Sequence, residues 1–253
     1  MQKNFLLLIL LISVHLGFSQ ADNEIQVYSS PITQKDVTFL ELHSNYTFRG
    51  RDGLPDPKSA RYLNESLEIT HGLGGNFEMG VYFFTAVVPG QHYEYLGTHI
   101  RPRYTVPEKW KWPFGASLSL EIGFLRPSSQ QDYIWEGEIR PILDKTFGNW
   151  YVALNPNMDF ALTGNDKHLG ITPQFKSVYT IQQKVGVGFE YYGTLGTFRE
   201  ILPGREQEHL IGPMVDLYFL PGWECNTGYL FGVTPNSNHG IFKLLVGRRF
   251  GGK

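Results

Sequence analysis

The sequence predicts an all-β fold: a transmembrane antiparallel up-and-down β-barrel of about twelve strands, following a cleaved signal peptide. Three observations carry this. Residues 1–19 read as an export signal. Residues 150–162 alternate strictly between apolar and polar side chains over a length that suits a bilayer better than a soluble core. The connections between such segments alternate between short and long.

The signal begins with Lys3, continues through an apolar run over 5–18, and ends on Gly17 and Ser19 before Gln20. No Cys follows the run, which argues against a lipid anchor. No later stretch is long and apolar enough for a membrane helix. Residues 20–37 are polar and without evident periodicity, and read as a periplasmic lead-in to a barrel over 38–250.

Composition fits that outline. Aromatic residues make up 15% of the chain, there are 28 glycines, and the mean hydropathy of -0.23 is what alternating faces average to. A net charge of -2 gives no basic footprint for nucleic acid. The one cysteine, Cys225, excludes an internal disulfide framework and a cysteine-rich metal site.

In chain order, the first strand is expected over 38–48, where Leu40 and Leu42 alternate with Glu41, His43 and Asn45, and a long loop follows over 49–60. Strands over 62–70 and 77–86 form a hairpin across 71–75, with Ile69 expected opposite Phe77, Leu67 opposite Met79, and Glu68 opposite Glu78. Facing carboxylates need a cation. Strand 96–104 offers Arg101 and Arg103 beside His99 on one face.

A tight turn over 107–112 leads to strand 114–124, where Leu118, Leu120 and Ile122 alternate with Ser117, Ser119 and Glu121. The most regular hairpin joins 133–147 to 150–162 through Gly148-Asn149, a two-residue loop of the primed-turn kind. In the second of these strands Trp150, Val152, Leu154 and Met158 share one face, while Asn155, Asn157 and Asp159 share the other. Pairing back from the turn sets Phe147 against Trp150, Arg140 against Asn157, and Glu138 against Asp159, so polar meets polar throughout.

Strands over 170–179 and 184–195 bring Lys176 toward Glu190, and the last three strands span 208–219, 224–233 and 240–250. An even strand count puts both chain termini on one side, expected to be periplasmic. Trp110, Trp112, Trp135, Trp150 and Trp223 lie near strand ends, where interface girdles form. The alternation alone also suits a soluble sandwich; export and loop asymmetry favour lipid on the apolar face.

Five motifs in order, 70–80 (THGLGGNFEMG), 154–160 (LNPNMDF), 187–193 (VGFEYYG), 209–213 (HLIGP) and 243–250 (KLLVGRRF), resemble the outer-membrane barrel family named for the MetA pathway of phenol degradation. The resemblance spans 61–250. It implies a channel or transporter for organic molecules, brings no catalytic residue set, and does not make phenol the solute.

The concentrated chemistry is the inward charge: Glu68, Glu78, His99, Arg101, Arg103, Glu121, Glu138, Arg140, Asp159, Lys176, Glu190, Asp216, Lys243 and Arg249, with Asn157 among them. It reads either as a polar permeation path or as a salt-bridged packing of a small lumen, because a barrel of about twelve strands lies between those filled by side chains and those that leave a channel. An enzyme needs His99, Ser119 and Glu121 to meet; all three point inward, no Gly-x-Ser-x-Gly elbow supports them, and a lipid-modifying enzyme is the most distant reading. A metal site from His43, His99 and Glu121 lacks any ligand spacing. Asn45-Tyr-Thr47 and Asn64-Glu-Ser66 match glycosylation acceptors only by chance, both falling in strands. The expectation is a passive outer-membrane channel for a small organic solute, with outer-membrane lipid as its partner and no catalytic residues, cofactor or metal. A plugged structural or partner-binding barrel is the alternative. The oligomeric state is not encoded in these patterns.

Overall fold

The computed structural model describes residues 23–51, 61–87, 93–126, 132–164, 167–218 and 220–252. The expected signal peptide, and most of the loops expected over 49–60, 87–93 and 127–132, lie outside them. Twelve strands follow one another: β1 (Val37–Arg49), β2 (Tyr62–Gly74), β3 (Phe77–Val87), β4 (Tyr93–Thr105), β5 (Gly115–Leu125), β6 (Ile134–Phe147), β7 (Trp150–Ala161), β8 (Thr172–Ile181), β9 (Val185–Thr194), β10 (Glu208–Leu217), β11 (Trp223–Gly232) and β12 (Gly240–Gly251). Each pairs with its sequence neighbours, and β12 returns to pair with β1, so the sheet closes. Closure leaves no unpaired edge.

The two faces are inverted relative to a soluble protein. Along β5, Leu118, Leu120 and Ile122 are 45%, 46% and 39% exposed, whereas Ser117, Ser119 and Glu121 are 6%, 2% and 3% exposed. Leu42, Leu67, Phe83, Ile100, Phe189 and Phe231 are likewise turned outward. A sandwich would bury the apolar face; here that face is the outside of the closed sheet, and the polar residues line its lumen. All five tryptophans named above are exposed.

The expected strands are all present, with ends shifted by up to four residues. The β6–β7 hairpin pairs Phe147 with Trp150 and Glu138 with Asp159, as the alternation requires. Gly148 has φ 59 while Asn149 stays outside the positive-φ set, which fits a turn with glycine at its first central position. The β2–β3 hairpin differs from expectation: Ile69 pairs with Val81, Leu67 with Phe83, and Glu68 with Tyr82, not with Phe77, Met79 and Glu78. The cause is the turn. Gly74, Gly75 and Asn76 all have positive φ, at 80, 61 and 70, so β2 runs on to Gly74 and the loop is shorter than 71–75. The slip is an even number of residues, so every side chain keeps its face.

The larger correction concerns the lead-in. Residues 23–36 do not stand ahead of the barrel but run inside it. Asn23, Glu24, Ile25, Val27, Tyr28, Ser30 and Thr33 are buried. The segment descends the lumen from the level of Asn45 and Ser66 to that of Gly72, where Asp36, with φ 62, reverses the chain into β1. A twelve-stranded wall is wide enough to admit one more extended segment. Ile25 and Val27 pack against Ala153, Tyr192, Leu210, Leu230 and Ile241. Glu24 and Tyr28 face the charged side.

Candidate functional site: the lumen

The inward face of β2–β7 surrounds Tyr28. Its hydroxyl donates to Glu24, lies 2.6 Å from that of Tyr82, and has Glu68 within 3.2 Å as a second acceptor. The guanidinium carbons of Arg140, Arg101 and Arg103 lie 4.4, 5.1 and 5.6 Å from the centre of its ring. Three cations on one ring would repel unless each had its own acid. Arg101 pairs with Glu68 and, at 3.1 Å, Glu78; Arg103 reaches Glu78 at 3.5 Å; Arg140 is held by Glu138 and, at 3.4 Å, Glu24. Glu68 and Glu78 therefore share Arg101, the cation that their face required, although they do not sit opposite each other.

The backbone of the inner segment is held largely by side chains of the wall. Asn155 takes the N–H and the carbonyl of Tyr28. Asp144 accepts from the Ser30 N–H at 2.6 Å and from its hydroxyl at 2.8 Å, and Glu78 accepts from the Thr33 N–H at 2.6 Å. Arg103 donates to the carbonyls of Ser29 and Pro31. Direct backbone pairing to the wall begins only at the hinge, where the Asp36 N–H donates to the Gly72 carbonyl at 3.0 Å.

A second network lies across β8–β12. Lys176 pairs with Asp216 at 2.9 Å and Glu190 at 3.5 Å, and Lys243 with Glu190 at 2.6 Å. Lys176 lies directly opposite Glu190, as the sequence pattern anticipates. Tyr192 donates to Glu190, and Asn226 to Asp216. Arg249 stands apart at the end of β12, partly exposed, paired with Glu224 and stacked 4.0 Å over Phe39.

The remaining expected residues form a third group. His99 Nδ1 lies 2.7 Å from Glu121 and its Nε2 is 3.7 Å from Glu136. Asn157 donates to Glu138, and Thr172 donates to Asp159. Ser119 is not in the His99 pair: it lies opposite Arg103 on β4 and Arg140 on β6, while His99 lies opposite Gly123. The hydroxyl, base and carboxylate that an acyl-transfer site needs are not aligned. Among the described residues no group of three or more His, Cys, Asp or Glu converges for a metal.

Between the inner segment and the wall, toward the end of the barrel with the short turns, a cavity of about 390 Å³ remains. Elsewhere Arg140, Lys243, Tyr82 and Phe84 are fully buried, so the middle of the lumen is packed. Sequence reasoning missed Glu24, Tyr28, Tyr82 and the tethering role of Asn155 and Asp144. The alternation Glu24-Ile-Gln-Val-Tyr28 is the inner segment's one trace in the sequence, and it is only five residues long.

No family model and no curated protein sequence matches the chain. Solved structures do. An outer-membrane channel from Pseudomonas putida F1 superposes with a TM-score of 0.62 at 11% identity, covering 90% of this chain and 100% of that one. The KdgM porin gives 0.53 at 14% identity, covering 85% and 99%. The translocator domain of the autotransporter NalP from Neisseria meningitidis gives 0.50 at 9%, covering 88% and 91%. At such identities the likeness is one of fold: a closed barrel of the kind used by channels, porins and translocators.

Proposed function

We propose that this chain is an outer-membrane channel for small organic solutes whose lumen is occupied by its own residues 23–36. The observation that carries this reading is the combination of an apolar outer belt with a polar lumen filled by a segment that side chains, not a backbone ladder, hold in place. Side-chain tethers can be released one at a time, while a strand of the wall cannot leave without opening the sheet. The fold shared with the Pseudomonas putida F1 channel and the KdgM porin supports the reading, as does the motif resemblance to the family named for the MetA pathway. The end that carries Val37 and Gly251 faces the periplasm in this proposal, lipid surrounds the apolar belt, and the inward charges, Arg101, Arg140 and Lys243 among them, border the route. The role is not enzymatic.

Planar-bilayer recording tests it. The unaltered protein should conduct weakly, and a variant carrying Asn155→Ala and Asp144→Ala should conduct more. If neither passes current or solute while both are folded, a second reading takes over: a structural or partner-binding barrel with a permanently plugged lumen. That reading is favoured by the complete burial of Arg101, Arg140 and Lys243.

A further inference from the structure

Glu41 is a lumen acid with no cation bonded to it: the two that act on its charge, Arg101 and Arg249, are each held by another acid. It is 4% exposed, its Oε1 has no hydrogen-bond partner, and it forms no ion pair among the described residues. Its neighbours across the ladder do not compensate it: Gly247 on β12 has no side chain, and Glu68 on β2 is another carboxylate. His43, two residues along the same strand, leans toward Glu68 at 3.8 Å. A buried carboxylate left alone is costly.

Glu41 lines the 390 Å³ cavity, and so do two amide side chains with unpartnered oxygens, Gln26 Oε1 and Asn226 Oδ1. Asn226 donates its NH₂ to Asp216 and Glu190, which fixes its amide so that the oxygen is the free end. The cations bordering the same cavity are all engaged: Arg101 and Arg103 by Glu78, Lys176 by Asp216, and Arg249 by Glu224. What the cavity lacks is therefore a group rich in N–H donors, and a positively charged one also answers the acid of Glu41. Its apolar lining includes Phe39, Leu245 and Val27, all buried.

We propose that this cavity is a binding site for a small organic ammonium ion, with the ammonium directed to Glu41 and the amide oxygens and the apolar body against Phe39 and Leu245. The volume falls in the usual range for small-molecule pockets. A bare metal ion fits poorly, since no three acidic, His or Cys residues converge among those described, and an anion would meet Glu41. The inference stands on the geometry of the cavity and does not require flux: binding without conductance would leave it intact and remove the channel reading, and conductance without binding would do the reverse.

The test is calorimetric titration of the folded full-length protein in detergent with 2-phenylethylamine, 2-phenylethanol and phenylacetate. The amine should bind saturably, with the alcohol and the acid at least about tenfold weaker. In Glu41→Gln, amine affinity should fall by about tenfold or more while heat-modifiable migration persists. Absence of saturable amine binding, equal binding of the alcohol, or undiminished binding in folded Glu41→Gln each overturns the proposal. Should Glu41→Gln fail to fold, the three-ligand series on the unaltered protein decides alone.

Discussion

Asn155 holds Tyr28 by both of its backbone polar groups: the Tyr28 N–H donates to Asn155 Oδ1 at 2.7 Å, and Asn155 Nδ2 donates to the Tyr28 carbonyl at 3.1 Å. A single wall side chain thus does for the inner segment what a neighbouring strand does for each strand of the barrel. Asn155→Ala should leave two buried backbone groups without partners, at a cost of about 1–3 kcal/mol each. That cost falls on the inner segment and not on the closed sheet. Ser29 is exposed to the cavity, so Ser29→Cys in a Cys225→Ser background should react with a small thiol reagent faster when Asn155→Ala is added, while heat-modifiable migration stays unchanged. Equal rates would mean that Asn155 is not a tether.

Arg140 is the cation with the most to lose. It compensates Glu138 and Glu24 and sits 4.4 Å over the Tyr28 ring. Arg140→Ala leaves two carboxylates buried, so it should destabilise by about 3–5 kcal/mol in urea unfolding from lipid vesicles. Arg140→Met combined with Glu138→Gln removes charge in balance and should cost clearly less. If the single and double variants unfold alike, the network contributes packing volume and not charge compensation.

The barrel was legible because its signal is repeated twelve times. Each of strands such as 114–124 and 150–162 carries period-two alternation, and closure follows from an even count of them. Pairing partners were legible where a two-residue turn pins the register, as at Gly148-Asn149. They were not where glycines leave the turn's position open: Gly72, Gly74 and Gly75 offered no side chain to say where β2 ends. The inward charges were legible as a set, since inward residues alternate with outward ones. Their partners were not, because Arg140 pairs with Glu24 across 116 residues of chain, and that acid lies in a segment whose five alternating residues are too few to announce a strand. The untethered look of residues 23–36 in sequence is a consequence of their bonding: the groups that satisfy them belong to other strands.

The outward face of β5 separates lipid from water as its surroundings. Leu120 lies at the middle of that strand with its side chain exposed. Leu120→Arg should cost about 2–4 kcal/mol in vesicles if the residue sits at the bilayer midplane. On a soluble surface the same change is nearly neutral. Unfolding titrations in vesicles distinguish the two, and a neutral result would place this face in water.

Gly72 is the hinge on which the inner segment turns. Its carbonyl accepts the Asp36 N–H at 3.0 Å, and a Cβ added there would overlap the Gln34 carbonyl, which is backbone and cannot rotate away. Even Gly72→Ala therefore has to displace the chain at 33–35. The barrel wall is expected to keep its ladder, because the nearest obstructing atoms belong to Thr33 and Gln34 of the segment. The expected outcome is a folded, heat-modifiable barrel with faster labelling at Ser29→Cys and larger bilayer conductance, in the same direction as Asn155→Ala though the two sites are far apart in sequence. Since Asn155 acts at Tyr28 and Gly72 acts at Gln34, the combined variant should add nearly fully. Loss of the barrel itself in Gly72→Ala would mean that the segment is part of the fold's core and not a removable filling.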